Sequence, residues 1–131
     1  MTPMEEFFKK DYFGKGTGVI LMESSPGRAR MKMEIDERHL NSHGTVHGGA
    51  IFTLADSAFA VASNSHGIPA AAINAQISYV KSARSGTLYA YAEEISLNPK
   101  IATYMVDVKD STGERIATFH GMVYRKTPKK V

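Results

Sequence analysis

Residues 50–67, AIFTLADSAFAVASNSHG, are the one strongly helical run in this chain, and they are apolar on nearly every side. Ile51, Leu54, Ala55, Ala58 and Ala62 recur at helical spacing on one face, and Phe52, Phe59 and Val61 cover much of the rest. A helix of that kind is buried on most sides, so the remaining chain has to wrap around it. Gly67 supplies a C′ cap that ends the run.

What remains reads mostly as strand. RARMKMEI alternates, with Ala29, Met31, Met33 and Ile35 inward and Arg28, Arg30, Lys32 and Glu34 outward. TGVILMES precedes it across the turn Ser25-Pro26-Gly27, which makes a hairpin. After Pro69 come AAAINAQISYVKSA, TLYAYAEEISL, IATYMVDVKD and RIATFHGMVYRK, divided by Ser85-Gly86, Asn98-Pro99 and Ser111-Thr112-Gly113. Such short connections predict antiparallel pairing between consecutive strands. At the other end, Thr2-Pro3-Met4-Glu5 fits a capping box, and Gly14 is the expected stop of a helix docked through Phe7, Phe8 and Tyr12. The expected fold is α+β: a curved antiparallel sheet of about six strands around one long central helix, with a short N-terminal helix.

At 131 residues the chain is one domain, expected to span 1–131. It has no cysteine, which rules out disulfides, a thiol nucleophile and thiolate metal sites. No apolar run is long enough to span a membrane and no signal-peptide layout stands at the N-terminus, so the expected location is the cytoplasm. The net charge of +3 comes from the ending RKTPKKV, with Arg125, Lys126, Lys129 and Lys130, read as a frayed basic tail over about 126–131. Without those four residues the balance is slightly acidic, which argues against a nucleic-acid partner.

The chemistry concentrates in HGGAIFTLAD, residues 47–56. Gly48 and Gly49 fall where the first N–H groups of a helix lack intrahelical acceptors. Together with the helix dipole, those groups suit a carbonyl oxygen gaining negative charge, and glycine lets it approach. Asp56 sits in the apolar middle, as a carboxylate on the one wetted stripe or as a nucleophile or general base. Eight residues of helix separate Gly48 from Asp56, about 12 Å along the axis, whereas catalytic contacts need roughly 3 Å. One substrate therefore meets both features only if they come from two antiparallel helices across a dimer interface. His39, His43 and His47 recur every fourth residue, but the surrounding glycines break any helix there, so no metal site is expected. His47 reads as a positioner of substrate or loop, and His66 and His120 as incidental.

The run NSHGTVHGGAIFTLADSAFAVASNSHG, with its Asn, His-Gly-Gly and Asp, resembles the signature of hotdog-fold acyl-CoA thioesterases of the phenylacetic-acid-degradation (PaaI-like) type. The element order matches over nearly the whole chain. The resemblance implies an acyl-CoA substrate with an aryl or a short or medium acyl group, hydrolysis by water, no cofactor beyond the substrate's own coenzyme A, and a homodimer often paired into a homotetramer. It implies Asp56 as nucleophile or general base, the Gly48 N–H as donor to the thioester carbonyl, and His47 and Asn41 as orienting groups. The hydroxyl that some members place near the attacking water is missing here, where Ala60 and about Ala72 stand. Lys81, Arg84 and Lys100 are the candidate cations for the coenzyme phosphates, with Gly49 beside the thioester. Two other readings are a hotdog hydratase or dehydratase, which the Asp and His-Gly-Gly pattern fits less well, and a non-catalytic acyl-CoA-binding module, which needs no carboxylate beside a thioester.

Overall fold

The computed structural model describes residues 1–126. Its long helix, α3 (Gly48–Asn64), lies across a six-stranded antiparallel sheet made of β1 (Val19–Ser25), β2 (Arg28–Glu34), β3 (Ala70–Tyr79), β4 (Thr87–Leu97), β5 (Ile101–Asp110) and β6 (Arg115–Arg125). The sheet order is β1-β2-β4-β5-β6-β3. The alternation in β2 holds: Ala29, Met31 and Met33 are buried beneath the helix. On α3, Ile51, Leu54, Ala55, Ala58, Phe59, Val61 and Ala62 are all buried. Phe59 packs edge-on to Tyr104 with ring centroids 5.8 Å apart, and its ring lies over Gly121, where a Cβ would come within 2.6 Å of it. The helix thus reaches β6 at the one position that carries no side chain.

Three expectations are corrected. First, β3 pairs with β6, not with β4. The link 80–86 crosses past the start of α3, fixed by Val46 N–H to Ala83 O (2.8 Å) and Ile35 N–H to Gly86 O (2.9 Å), before β4 joins β2. That crossing leaves β3 as an edge strand. Second, the N-terminal helix is two short helices. The capping box forms as expected and opens α1 (Pro3–Lys9), but Asp11 accepts the Gly14 N–H at 2.8 Å and starts α2 (Tyr12–Gly16). A local side-chain bond outcompetes continuation of the first helix. Phe8 alone docks in the core, while Tyr12 is 77% exposed. Third, Arg125 is not part of a tail: it ends β6, buried, and donates from Nη1 to Asn98 O at 2.9 Å. Lys126 N–H still bonds Pro69 O, and residues 127–131 lie outside the described residues.

A polar cluster closes the C-terminal end of α3. Glu94 accepts from His66 Nε2 (2.6 Å) and from the Tyr104 hydroxyl (2.7 Å). Burial pushes the Glu94 carboxyl up, but the two hydrogen bonds and the nearby Arg125 charge outweigh it and hold the group below its ordinary range. Glu94→Ala leaves a fully buried phenol without an acceptor, and the free energy of unfolding falls by about 2 kcal/mol in urea titrations at neutral pH.

Candidate active site

The loop before α3 is tied by Asn41. Its Oδ1 accepts from the N–H groups of His43 (2.9 Å) and Thr45 (3.2 Å) and from the Thr45 hydroxyl. His47 then caps the helix, its Nδ1 accepting the Gly49 N–H at 2.8 Å. A neutral ring in that role carries its proton on Nε2, which is left as a donor. Tyr79, at the end of β3, donates its hydroxyl to Gly48 O at 2.8 Å. The peptide between Gly48 and Gly49 is therefore held at both ends, its oxygen by Tyr79 and its N–H by His47. Of the two glycines, Gly49 has its N–H occupied, whereas the Gly48 N–H has no acceptor among the described residues. A Cβ on Gly48 would lie 3.0 Å from the Tyr79 ring, so any side chain there has to push that ring aside.

Asp56 occupies the half-buried stripe of α3, between the buried Ala55 and Ser57. Its carboxylate has no hydrogen bond or ion pair among the described residues, so it is not the half of a structural salt bridge. Burial raises its pKa above the ordinary carboxylate range, and the negative charge of Asp11 adds to the shift. An unpaired, partly desolvated carboxylate is basic and can attack or take a proton.

The structure divides the candidate cations. Lys81 borders a cavity of about 340 Å³ with Gly48 and Tyr79, but its ammonium is paired with Glu114. Arg84 is exposed on the link beyond it. Lys100 lies in the β4–β5 turn, its carbonyl accepting the Arg125 N–H, at the opposite end of α3 from Gly48 in the same chain. Arg38, which the sequence does not single out, lines a second cavity of about 440 Å³ with His47 and Gly49. The three evenly spaced histidines occupy a 3₁₀ turn, a loop and a helix cap. His39 is buried, with both ring nitrogens bonded, to Asp36 N–H and Thr17 O. Tyr79 and Asp11 likewise went unmarked: each acts through a contact that no local spacing encodes.

This architecture has close counterparts. The sequence profile described as "Thioesterase superfamily" matches residues 43–128. A protein of Archaeoglobus fulgidus, provisionally named an esterase, is 44% identical over 123 residues, covering 88% of this chain and 80% of that one. The acyl-coenzyme A thioesterase PaaI of Escherichia coli K12 is 30% identical over 119 residues, covering 90% of this chain and 85% of its own. The solved structure of the E. coli PaaI protein from the phenylacetic acid degradation operon superposes with a TM-score of 0.91 at 28% identity, over 95% of this chain and 91% of that one. Six antiparallel strands around a central helix, the matched profile and these relatives together show that the chain belongs to the thioesterase superfamily, as a PaaI-like hotdog-fold thioesterase.

Proposed function

We propose that this thioesterase hydrolyses an acyl-CoA thioester, aryl or short to medium in chain, to the free acid and coenzyme A. The observation that carries this reading is an unpaired, basic carboxylate at Asp56 together with an unused N–H at the start of the same helix, Gly48. The Gly48 N–H and the helix dipole receive the carbonyl oxygen as charge develops on it. Asp56 either takes a proton from the water that adds to the carbonyl carbon, or adds to that carbon itself to form a mixed anhydride that water hydrolyses once the thiolate has left. The thiolate of coenzyme A leaves. The Nε2–H of His47 and the free amide of Asn41 orient the substrate, and Lys81, Arg84 and Lys100 face its phosphates. Water is the second substrate, and coenzyme A enters as part of the first.

Two copies of the chain build each site. The edge strand β3 supports this: over residues 70–80 it has no charge and no proline, and Ile73, Tyr79 and Val80 are 56%, 51% and 57% exposed. Such an edge needs a cover, and a second β3 supplies one by antiparallel pairing. A two-fold pairing that offsets the two α3 helices by half their length sets the start of one, tied to Tyr79, beside the middle of the other, so that Gly48 of one chain meets Asp56 of its partner. That arrangement answers the 12 Å separation, about eight residues of helix rise, between Gly48 and Asp56 in one chain. Exposed Met22, Tyr91, Met105 and Tyr124 on the outer sheet form a surface on which two dimers pair into a tetramer.

Thiol release from a panel of aryl- and alkyl-CoA thioesters tests the reaction, and failure on the whole panel, or hydration of an enoyl-CoA instead, overturns it. The same assay read against pH tests the base. Asp56 has to be ionised, so kcat/KM falls on the acid side at a pH above the usual carboxylate range. Asp11→Asn keeps an acceptor for the Gly14 cap but removes the charge. The acid limb then moves to lower pH while burial still holds it above an ordinary aspartate.

A further inference from the structure

A groove of about 600 Å³ runs between α1 and the second half of α3. Met4 and Phe7 form the α1 wall, Ala60 and Asn64 the α3 wall, and Ile68 and Pro69 the end leading to β3. Asp56, Ala60 and Asn64 follow one another at intervals of four, so they stack on one face of the helix. All three are half-buried, whereas Ser57–Phe59 and Val61–Ser63 between them are buried, which marks that face of the second half of α3 as the one left open toward α1. Ala60, in the wall of the groove, stands one helical turn beyond Asp56 on that face, so the groove begins one turn from that carboxylate.

The wall is mostly apolar, with Glu6, Lys10 and Asp11 on the side of the N-terminal helices and Asn64 on α3. The Asn64 amide nitrogen donates to Ala60 O (2.9 Å) and Ala70 O (3.3 Å), and its oxygen accepts the Ala70 N–H (2.9 Å). A side chain satisfied in this way offers a ligand no polar anchor. The two helical turns from Asp56 to Asn64 span about 12 Å, far more than an acetyl group fills. Ala60 carries a single methyl at the point where anything leaving Asp56 along the groove has to pass.

Resting on the reading of Asp56 as the group that drives thioester hydrolysis, we propose that this groove receives the acyl moiety. Its occupant is an apolar acyl group of medium length, and Ala60 and Phe7 set the chain-length preference. A larger residue at Ala60 blocks the passage, and removal of Phe7 strips the outer wall. Both changes fall on long acyl groups more than on short ones, and they act through KM.

The experiment compares kcat/KM for acetyl-, butyryl- and octanoyl-CoA in the full chain, wild type, Ala60→Phe and Phe7→Ala. The octanoyl-to-acetyl ratio drops by about tenfold or more in Ala60→Phe and by about fivefold in Phe7→Ala. Thermal unfolding accompanies each assay. Phe7 is on the surface of a short peripheral helix, so its variant decides the matter alone if Ala60→Phe does not fold. A ratio unchanged in the folded variants overturns the groove while leaving the hydrolytic site standing. A wild type that cleaves an aryl-CoA but none of the three overturns the groove alone, and one that cleaves neither kind brings down the hydrolytic reading and the groove with it.

Discussion

Asp56→Asn slows thioester hydrolysis by about a thousandfold, as expected for loss of a positioned base or nucleophile, and at the same time raises the melting temperature at neutral pH. The amide has nearly the same shape but neither the negative charge nor the lone-pair basicity that attack requires. The stability gain follows from the direction of the pKa shift. Burial and the Asp11 charge raise the folded-state pKa above the unfolded one. Between those two values the native state binds more protons than the unfolded chain, so stability falls as pH rises through that window. At neutral pH the folded protein bears the whole cost of an ionised, unpaired carboxylate, and asparagine removes it. Below the window the variant loses its advantage. Steady-state kinetics and thermal melts at neutral and acidic pH check both halves. A variant that is as active as wild type removes Asp56 from the reaction, and one that is inactive but less stable assigns it a structural role.

Mixing two dead enzymes restores activity. Gly48→Val puts a branched side chain against the Tyr79 ring, where even a Cβ would lie at 3.0 Å, and blocks the approach to the Gly48 N–H. Gly48→Val and Asp56→Asn homodimers each lack one half of every site. A heterodimer of the two has one site with both halves intact and one with neither. Random reassortment makes half the dimers mixed, so the mixture recovers about a quarter of wild-type activity under two-fold symmetry. Co-expression with two affinity tags isolates the heterodimer and measures it directly. Activity no higher than that of the separate variants places Gly48 and Asp56 of the same chain in one site, or assigns the carbonyl to a different donor.

Much of this was legible in the residues. The period of two in RARMKMEI and the nearly all-apolar helix are local patterns whose burial follows from their own spacing, and the structure has β2 and α3 where those patterns predict them. The Thr2–Glu5 capping box is equally local. What escaped depends on contacts between distant positions. Pairing of β3 with β6 is decided by where the 80–86 link crosses, and a short link between strands looks the same whether it makes a hairpin or a crossing. Arg125 reads as tail because its acceptor, Asn98 O, is brought near by the β5–β6 register. Tyr79 sits on an exposed edge with no motif around it, and its role appears once β3 lies beside the start of α3. The glycine pair was legible as a helix entry with spare N–H groups, but which of the two N–H groups stays unbonded was not. It depends on which of the His47 ring nitrogens turns back onto the helix.

The order in which the strands are made sets a hazard during synthesis. β3 leaves the ribosome well before β6, its one neighbour in the sheet, and β4 and β5 come between them. Until β6 arrives, both edges of an uncharged strand are open, and after it arrives one edge stays without a partner strand among the described residues. Each nascent chain thus carries a sticky ribbon twice over, first on both edges for want of its own C-terminal strand and then on the one edge β6 does not cover. Neighbouring ribosomes on one message supply further copies at high local concentration, so the edge on which the proposed dimer rests is also the one by which half-made copies aggregate.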